Sequence, residues 1–87
     1  MKLRSLQYLV AVAEECHFGK AASRCNVSQP TLSAQLKRLE ERLGVLLIER
    51  PPGRVAPTPI GREVIALARV ILNTVEEIHR SVGQVRS

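Results

Sequence analysis

A mainly α-helical fold, with one small hairpin and one long C-terminal helix, is what this sequence predicts, on three observations. Apolar residues recur at spacings of three and four along most of the 87 residues. Stop and start signals at Cys16-His17, Asn26-Val27, Gly44 and Thr58-Pro59 cut that periodicity into separate helices. Only the stretch from Val45 to Ala56 departs from it, with β-prone residues on either side of Pro51-Pro52-Gly53.

The elements follow in order. Leu3, Leu6, Leu9, Val10 and Ala13 predict a first helix over about residues 3–15, its apolar stripe widened by Tyr8 and Val12. Phe18 to Cys25 reads as a short second helix, where the small Ala21 and Ala22 let a neighbour cross closely. Asn26-Val27 is the turn: Asn tolerates left-handed geometry, and Val27 is the apolar plug beneath it. Ser28 is a good N-cap for a third helix, with Pro30 in the first turn, where a missing N–H costs nothing. Leu32, Leu36, Leu39 and Leu43 define its buried face, and Gly44 its stop. Val45 to Glu49 is predicted as one strand and Arg54-Val55-Ala56 as its return, a wing with Arg50 and Arg54 at the tip; Pro57, which cannot donate to a ladder, limits the return.

Thr58 and Pro59 then open a long helix reaching about residue 85. Val64, Ala68, Ile71, Val75, Ile78, Val82 and Val85 form a heptad stripe along it, with Leu67 and Leu72 at its sides. Such a helix runs about 40 Å at 1.5 Å per residue, more than the first 57 residues can cover. The stripe therefore predicts an oligomer, most simply a dimer. The organisation is a winged helix-turn-helix over residues 1–57 and a linker or dimerisation helix over residues 58–87.

Composition narrows the function. Residues 1–57 hold nine Lys and Arg against five Glu, and residues 58–87 hold four against three, so positive charge concentrates on the helix-turn-helix, as a phosphate-binding surface needs. Tyr8 and Phe18 are the only aromatics, too few to stack single-stranded bases. There is no Asp, no Gly-rich phosphate loop and no paired carboxylate constellation, so an enzyme is not expected. Cys16 and Cys25 lack a zinc spacing, and neither His17 nor His79 completes a ligand set; no metal or cofactor is expected. Cys25 reads as a small core residue, whereas Cys16 lies beside a turn. No apolar run is long enough for a membrane span and the N-terminus is not a signal peptide, so the expected location is the cytoplasm.

Site assignments come from the third helix. Its first turn is small, polar and uncharged, which suits the major groove. Gln29 can pair with adenine N6 and N7, and Pro30 and Thr31 offer surface to a thymine methyl. Ser33 can reach a base edge or phosphate, and Ala34 permits close approach; Gln35 sits on the flank. Each also reads as an ordinary solvated residue when taken singly. Lys37, Arg38 and Ser28 are candidate phosphate contacts. Arg54 and Arg50 would place the wing on the backbone or in the minor groove, where narrow A·T tracts attract Arg. Arg50 can equally pair with Glu49 or a helix carboxylate. The alternative to a DNA reader is a protein-interaction module in which the winged helix is scaffold and the heptad helix functions.

Taken together, Leu6, Tyr8, Val12-Ala13-Glu14, His17-Phe18, Ala21-Ala22, Val27-Ser28-Gln29-Pro30, Ser33, Leu39-Glu40, Leu43-Gly44, Glu49-Arg50, and Thr58 with Gly61 resemble the N-terminal domain of LysR-type transcriptional regulators. The resemblance spans essentially the whole chain. Within the family, His17 to Ala22, Cys25 to Ser33 and Leu39 to Val45 look closest to the peroxide-responsive activators. It implies a dimer joined through the linker helix, a near-palindromic duplex with inverted T…A half-sites, and a tetramer when full length. Family members continue into a larger effector domain that senses the inducer, expected to be missing here. The redox cysteines of the peroxide-responsive group lie in that domain, so Cys16 and Cys25 do not inherit their role. No small-molecule ligand is expected in this chain. Pro57 and Ile60 depart from the family pattern.

Overall fold

Leu6, Tyr8, Leu9, Val10, Ala11 and Val12 are all buried, so the first helix is enclosed on several faces rather than along one stripe. The computed structural model, which describes residues 1–50 and 52–86, shows why. Helix α1 (Leu3–Glu15) is the post against which α2 (Phe18–Arg24), α3 (Gln29–Leu43) and α4 (Pro59–Arg86) all pack. Strands β1 (Ile48–Glu49) and β2 (Ala56–Pro57) form a two-stranded antiparallel wing between α3 and α4. The fold is a mainly helical winged helix-turn-helix, drawn out to 50 Å by α4.

Helix ends follow local chemistry. Cys16 adopts the left-handed conformation (φ 53°) and its N–H closes α1 onto the Val12 carbonyl. His17 then caps α2, its Nδ1 accepting the Lys20 N–H at 3.0 Å. Asn26 makes the next turn at φ 57°, a conformation Asn adopts at low cost, while Val27 packs against the core beneath it. Ser28 caps α3 by accepting the Thr31 N–H at 3.2 Å. Gly44 ends α3 at φ 75°, where any side chain would be strained.

Leu32, Leu36 and Leu39 face the core as expected, but Leu43 does not: it is 42% exposed. The chain reverses at Gly44, and Leu47 and Ile48, fully buried, fill the space a fourth leucine would have taken. Burying one such side chain is worth about 1.5–3 kcal/mol. Val45 and Leu46 are exposed and lie outside the first strand, which is only two residues long. The returning strand is likewise shifted, from residues 54–56 to Ala56–Pro57. Ile48 pairs with Pro57 and Glu49 with Ala56. Pro57 is admitted because Ile48 turns its own N–H and C=O away from β2, so no ladder bond is asked of the proline. Pro51 of the predicted Pro51-Pro52-Gly53 turn lies outside the described residues, as does Ser87.

Helix α4 opens on the Thr58 cap. Its hydroxyl accepts the Gly61 N–H at 2.9 Å and donates to the Leu46 carbonyl at 2.7 Å, tying α4 to the chain leading into β1. Gly61 is buried against that same chain, where a Cβ would run into the Leu47 carbonyl oxygen. Ile65 and Ala68 complete the contact with the core. The first turns of α4 are thus packed on the core built by the preceding helices. Ala68 is wholly buried and the half-buried Val64 packs on the core, so in one copy these two members of the predicted heptad stripe contribute to the fold.

Candidate nucleic-acid interface

Because Leu32, Leu36 and Leu39 pin one face of α3 to the core, its other face is displayed. Gln29, Pro30, Thr31 and Ala34 are exposed there and Ser33 is half-exposed; Gln35, also half-exposed, lies toward the flank. Lys37 and Arg38 continue the surface, both exposed. The structure thus collects the predicted base-reading residues on one turn with two cations a turn away.

That turn is held firmly. Besides capping the Thr31 N–H, the Ser28 hydroxyl donates its proton to Thr31 Oγ1 at 2.9 Å. Its donor is therefore committed within the chain, whereas the Thr31 hydroxyl accepts from Ser28 and keeps its own proton to donate outward. A donor that is itself accepting is polarised in the useful direction. Pro30 rigidifies the same turn. Gln29 reaches toward α2, its Oε1 lying 3.6 Å from where a Cβ on Gly19 would stand.

The two arginines of the wing are placed differently. Arg54 is exposed near its tip. Arg50 is instead committed to the fold: Nη2 donates to Glu40 Oε1 at 2.8 Å, and Nη1 to the Ile48 carbonyl at 3.1 Å and Glu40 Oε2 at 3.4 Å. Its guanidinium also lies over the Phe18 ring, 5.5 Å from the centroid. Of the two partners weighed from sequence, the helix carboxylate holds it, because Glu40 faces the start of β1 one turn before α3 ends. Glu40 itself was not among the predicted site residues. The only sequence signal for it was a carboxylate at a position next to the buried leucine row.

A second ionic group joins α1, α2 and α4. Arg24 of α2 pairs with Glu14 at 2.7 Å and Glu15 at 3.3 Å, and Arg69 of α4 reaches Glu14 at 3.2 Å. The Arg24 hydrogen bond holds the Glu14 carboxyl below the usual carboxylate range, partial burial opposing it and Arg69 adding to it. Glu14 in return raises the Arg24 pKa. Burial pushes the Cys25 thiol up, partly offset by Arg24, as for a packed and unreactive cysteine. Cys16 is exposed, with Sγ directed at the Ala13 carbonyl. Among the described residues there is no group of His, Cys, Asp or Glu arranged to hold a metal, and no helix is long and apolar enough to cross a membrane.

A capped, uncharged turn projecting from a three-helix core beside a two-stranded wing defines a class, and comparison with known families gives it a name. Residues 3–62 match the model for bacterial regulatory helix-turn-helix proteins of the lysR family, and the chain belongs to that family. The hydrogen peroxide-inducible genes activator of Pectobacterium carotovorum subsp. carotovorum is 45% identical over 84 residues, covering 97% of this chain and 28% of the relative. Full-length OxyR from Pseudomonas aeruginosa, solved as a variant, superposes with a TM-score of 0.90 at 46% identity over 94% of this chain and 27% of its own. The BenM DNA-binding domain in complex with benA site 1 DNA superposes with a TM-score of 0.92 at 40% identity, covering 100% of this chain and 98% of that one. The chain thus spans little more than a quarter of the curated relative and the whole of an isolated DNA-binding domain.

Proposed function

We propose that this domain reads a near-palindromic DNA duplex as a homodimer, one α3 entering the major groove of each half-site. The observation that carries this is the exposed Gln29-Pro30-Thr31 turn, uncharged and fixed by Ser28, beside Lys37 and Arg38. A groove-reading surface needs rigid, neutral hydrogen-bonding groups at base level and cations at phosphate level. Gln29 and Thr31 meet base edges, Pro30 and Ala34 permit close approach, and Ser33 reaches base or backbone. Lys37 and Arg38 hold phosphates on one side, and Arg54 holds the backbone or minor groove on the other. Ser28 serves as the cap that fixes the turn.

The second half of α4 supplies the dimer. Ile71, Ile78, Val82 and Val85 are exposed along it, an apolar face more continuous than a solvated monomer displays. We place the working domain in the cytoplasm, as a part of a larger regulator that forms tetramers.

Selection of bound fragments from a random duplex pool tests the reading. Enrichment of an inverted repeat supports it; retention without any enriched sequence overturns it. On the enriched site, Gln29→Ala is expected to weaken specific binding by about 1–3 kcal/mol while sparing random duplex. Equal losses on both would remove Gln29 from base reading. Arg54→Ala is expected to weaken binding to every sequence and to lower the salt slope by about one.

A further inference from the structure

Glu40 is the most buried charged side chain described, 5% exposed, and the DNA-binding reading above gives it no contact. Its Oε2 accepts the Leu47 N–H at 2.8 Å and the Ile48 N–H at 3.2 Å, while both oxygens face the Arg50 guanidinium. Arg50 in turn donates to the Ile48 carbonyl. The free edge of β1 is therefore occupied: the Ile48 N–H goes to the carboxylate and its C=O to the guanidinium. The ion pair stands where a third strand would run.

This matters because the wing cannot hold itself. Its two strands are two residues long, far below what an isolated hairpin needs. Thr58 holds the base of the wing from the α4 side; from the α3 side it is held by one carboxylate, clamped by an arginine that also lies over Phe18 of α2. Both helices of the helix-turn-helix thus grip the root of the wing whose tip carries Arg54.

We propose that Glu40 is a positioning residue that sets the pose of the wing against α3, so that Arg54 meets the DNA backbone in register with the Gln29 turn. This rests on the DNA-binding reading above, and extends it from residues that touch DNA to one that acts through them. Arg50 is its working partner rather than a phosphate contact.

The test is a double-mutant cycle by fluorescence anisotropy, on a labelled duplex taken from the selected pool and on a random duplex of equal length. Glu40→Gln keeps the shape and removes the charge. It is expected to raise Kd about three- to tenfold on both duplexes and to lower the salt slope by about one, as Arg54→Ala does. The double variant is expected to bind no more than about twofold worse than Arg54→Ala alone. Arg50→Lys keeps a cation but loses the two-pronged fork, and is expected to match Glu40→Gln. Losses that multiply in the double variant, or parental binding by Glu40→Gln or Arg50→Lys, overturn the proposal.

Amide exchange by NMR gives a readout independent of DNA. In Glu40→Gln, the Leu47 and Ile48 amides, which donate to the carboxylate, and the Thr58 amide, which donates to the Leu47 carbonyl, should lose protection while the Leu9 and Leu36 amides keep theirs. Uniform loss across the chain marks a general stability residue and overturns the proposal. A parent chain that binds no duplex overturns the DNA reading itself, and the exchange pattern then still decides whether Glu40 holds the wing.

Discussion

Between Gly61 and Ala68, α4 lays its apolar side on α1 and buries it; from Ile78 to Val85 an equally apolar side of the same helix is exposed, Val85 to 87%. The sides differ. At about 100° per residue, Gly61, Ile65, Ala68 and Leu72 fall within one narrow arc, while Leu67, Ile71, Ile78 and Val85 fall along another roughly 110° away. The first arc meets helices of its own chain. The second meets nothing in one copy, and is the surface the proposed dimer would use. A single amphipathic helix thus carries two apolar seams, one covered by its own chain and one left open for the proposed assembly.

The sharpest way to break that comparison is to strike each seam in turn. Ile65→Ala, in the inner seam, is expected to cost about 2–5 kcal/mol of stability, read as a lower denaturant midpoint. Gly61→Ala should cost a comparable or slightly smaller amount, about 1–3 kcal/mol, because the Leu47 backbone must move to admit the methyl. If Ile65→Ala melted like the parent, the inner seam would not be core.

Next in size is the outer seam. Ile71→Asp with Ile78→Asp should weaken self-association by about 2 kcal/mol or more, the scale of an interface hot spot. Sedimentation should show monomers with the helix content of the parent. Dimers that persist would locate the interface elsewhere, and unfolding would mean that the two seams are one.

The same helix shows how far periodicity is legible. Its start at Thr58-Pro59 and its length were readable from capping residues and spacing. The heptad stripe Val64, Ala68, Ile71, Val75, Ile78, Val82 is covered unevenly in one copy, buried at Ala68 and exposed at Ile78 and Val82. A strict seven-residue repeat drifts by about 20° per heptad on a straight helix. The line therefore leaves the inner seam at Ala68 and arrives at the outer one by Val85. Sequence reports that a face is apolar and is silent on which neighbour covers it. Leu43 teaches the same lesson, since its spacing matched the buried row while Gly44 had already turned the chain. The first turn of α3 was legible because capping and turn chemistry are local: Ser28, Pro30 and Asn26 act within four residues. A helix carboxylate could be weighed as the partner of Arg50, but not Glu40 in particular, because that contact joins positions ten residues apart across a chain reversal.

The smallest effect sits where the inner seam ends. Arg69, one residue past Ala68, pairs with Glu14 of α1, which Arg24 holds from the other side. Glu14→Gln should loosen that last anchored turn by only about 0.2–1 kcal/mol, since all three side chains are partly exposed and screened. Its pH dependence has a definite sign. The folded-state pKa of Glu14 is lowered, so its contribution is fully present above the ordinary carboxylate value and is lost as pH falls through the lowered one. The gap in denaturant midpoint between parent and Glu14→Gln should thus be present at about pH 7, shrink in high salt, and close at strongly acidic pH. A gap that survives both acid and salt would mean that Glu14 acts by packing, and that the inner seam extends beyond Ala68 without help from charge.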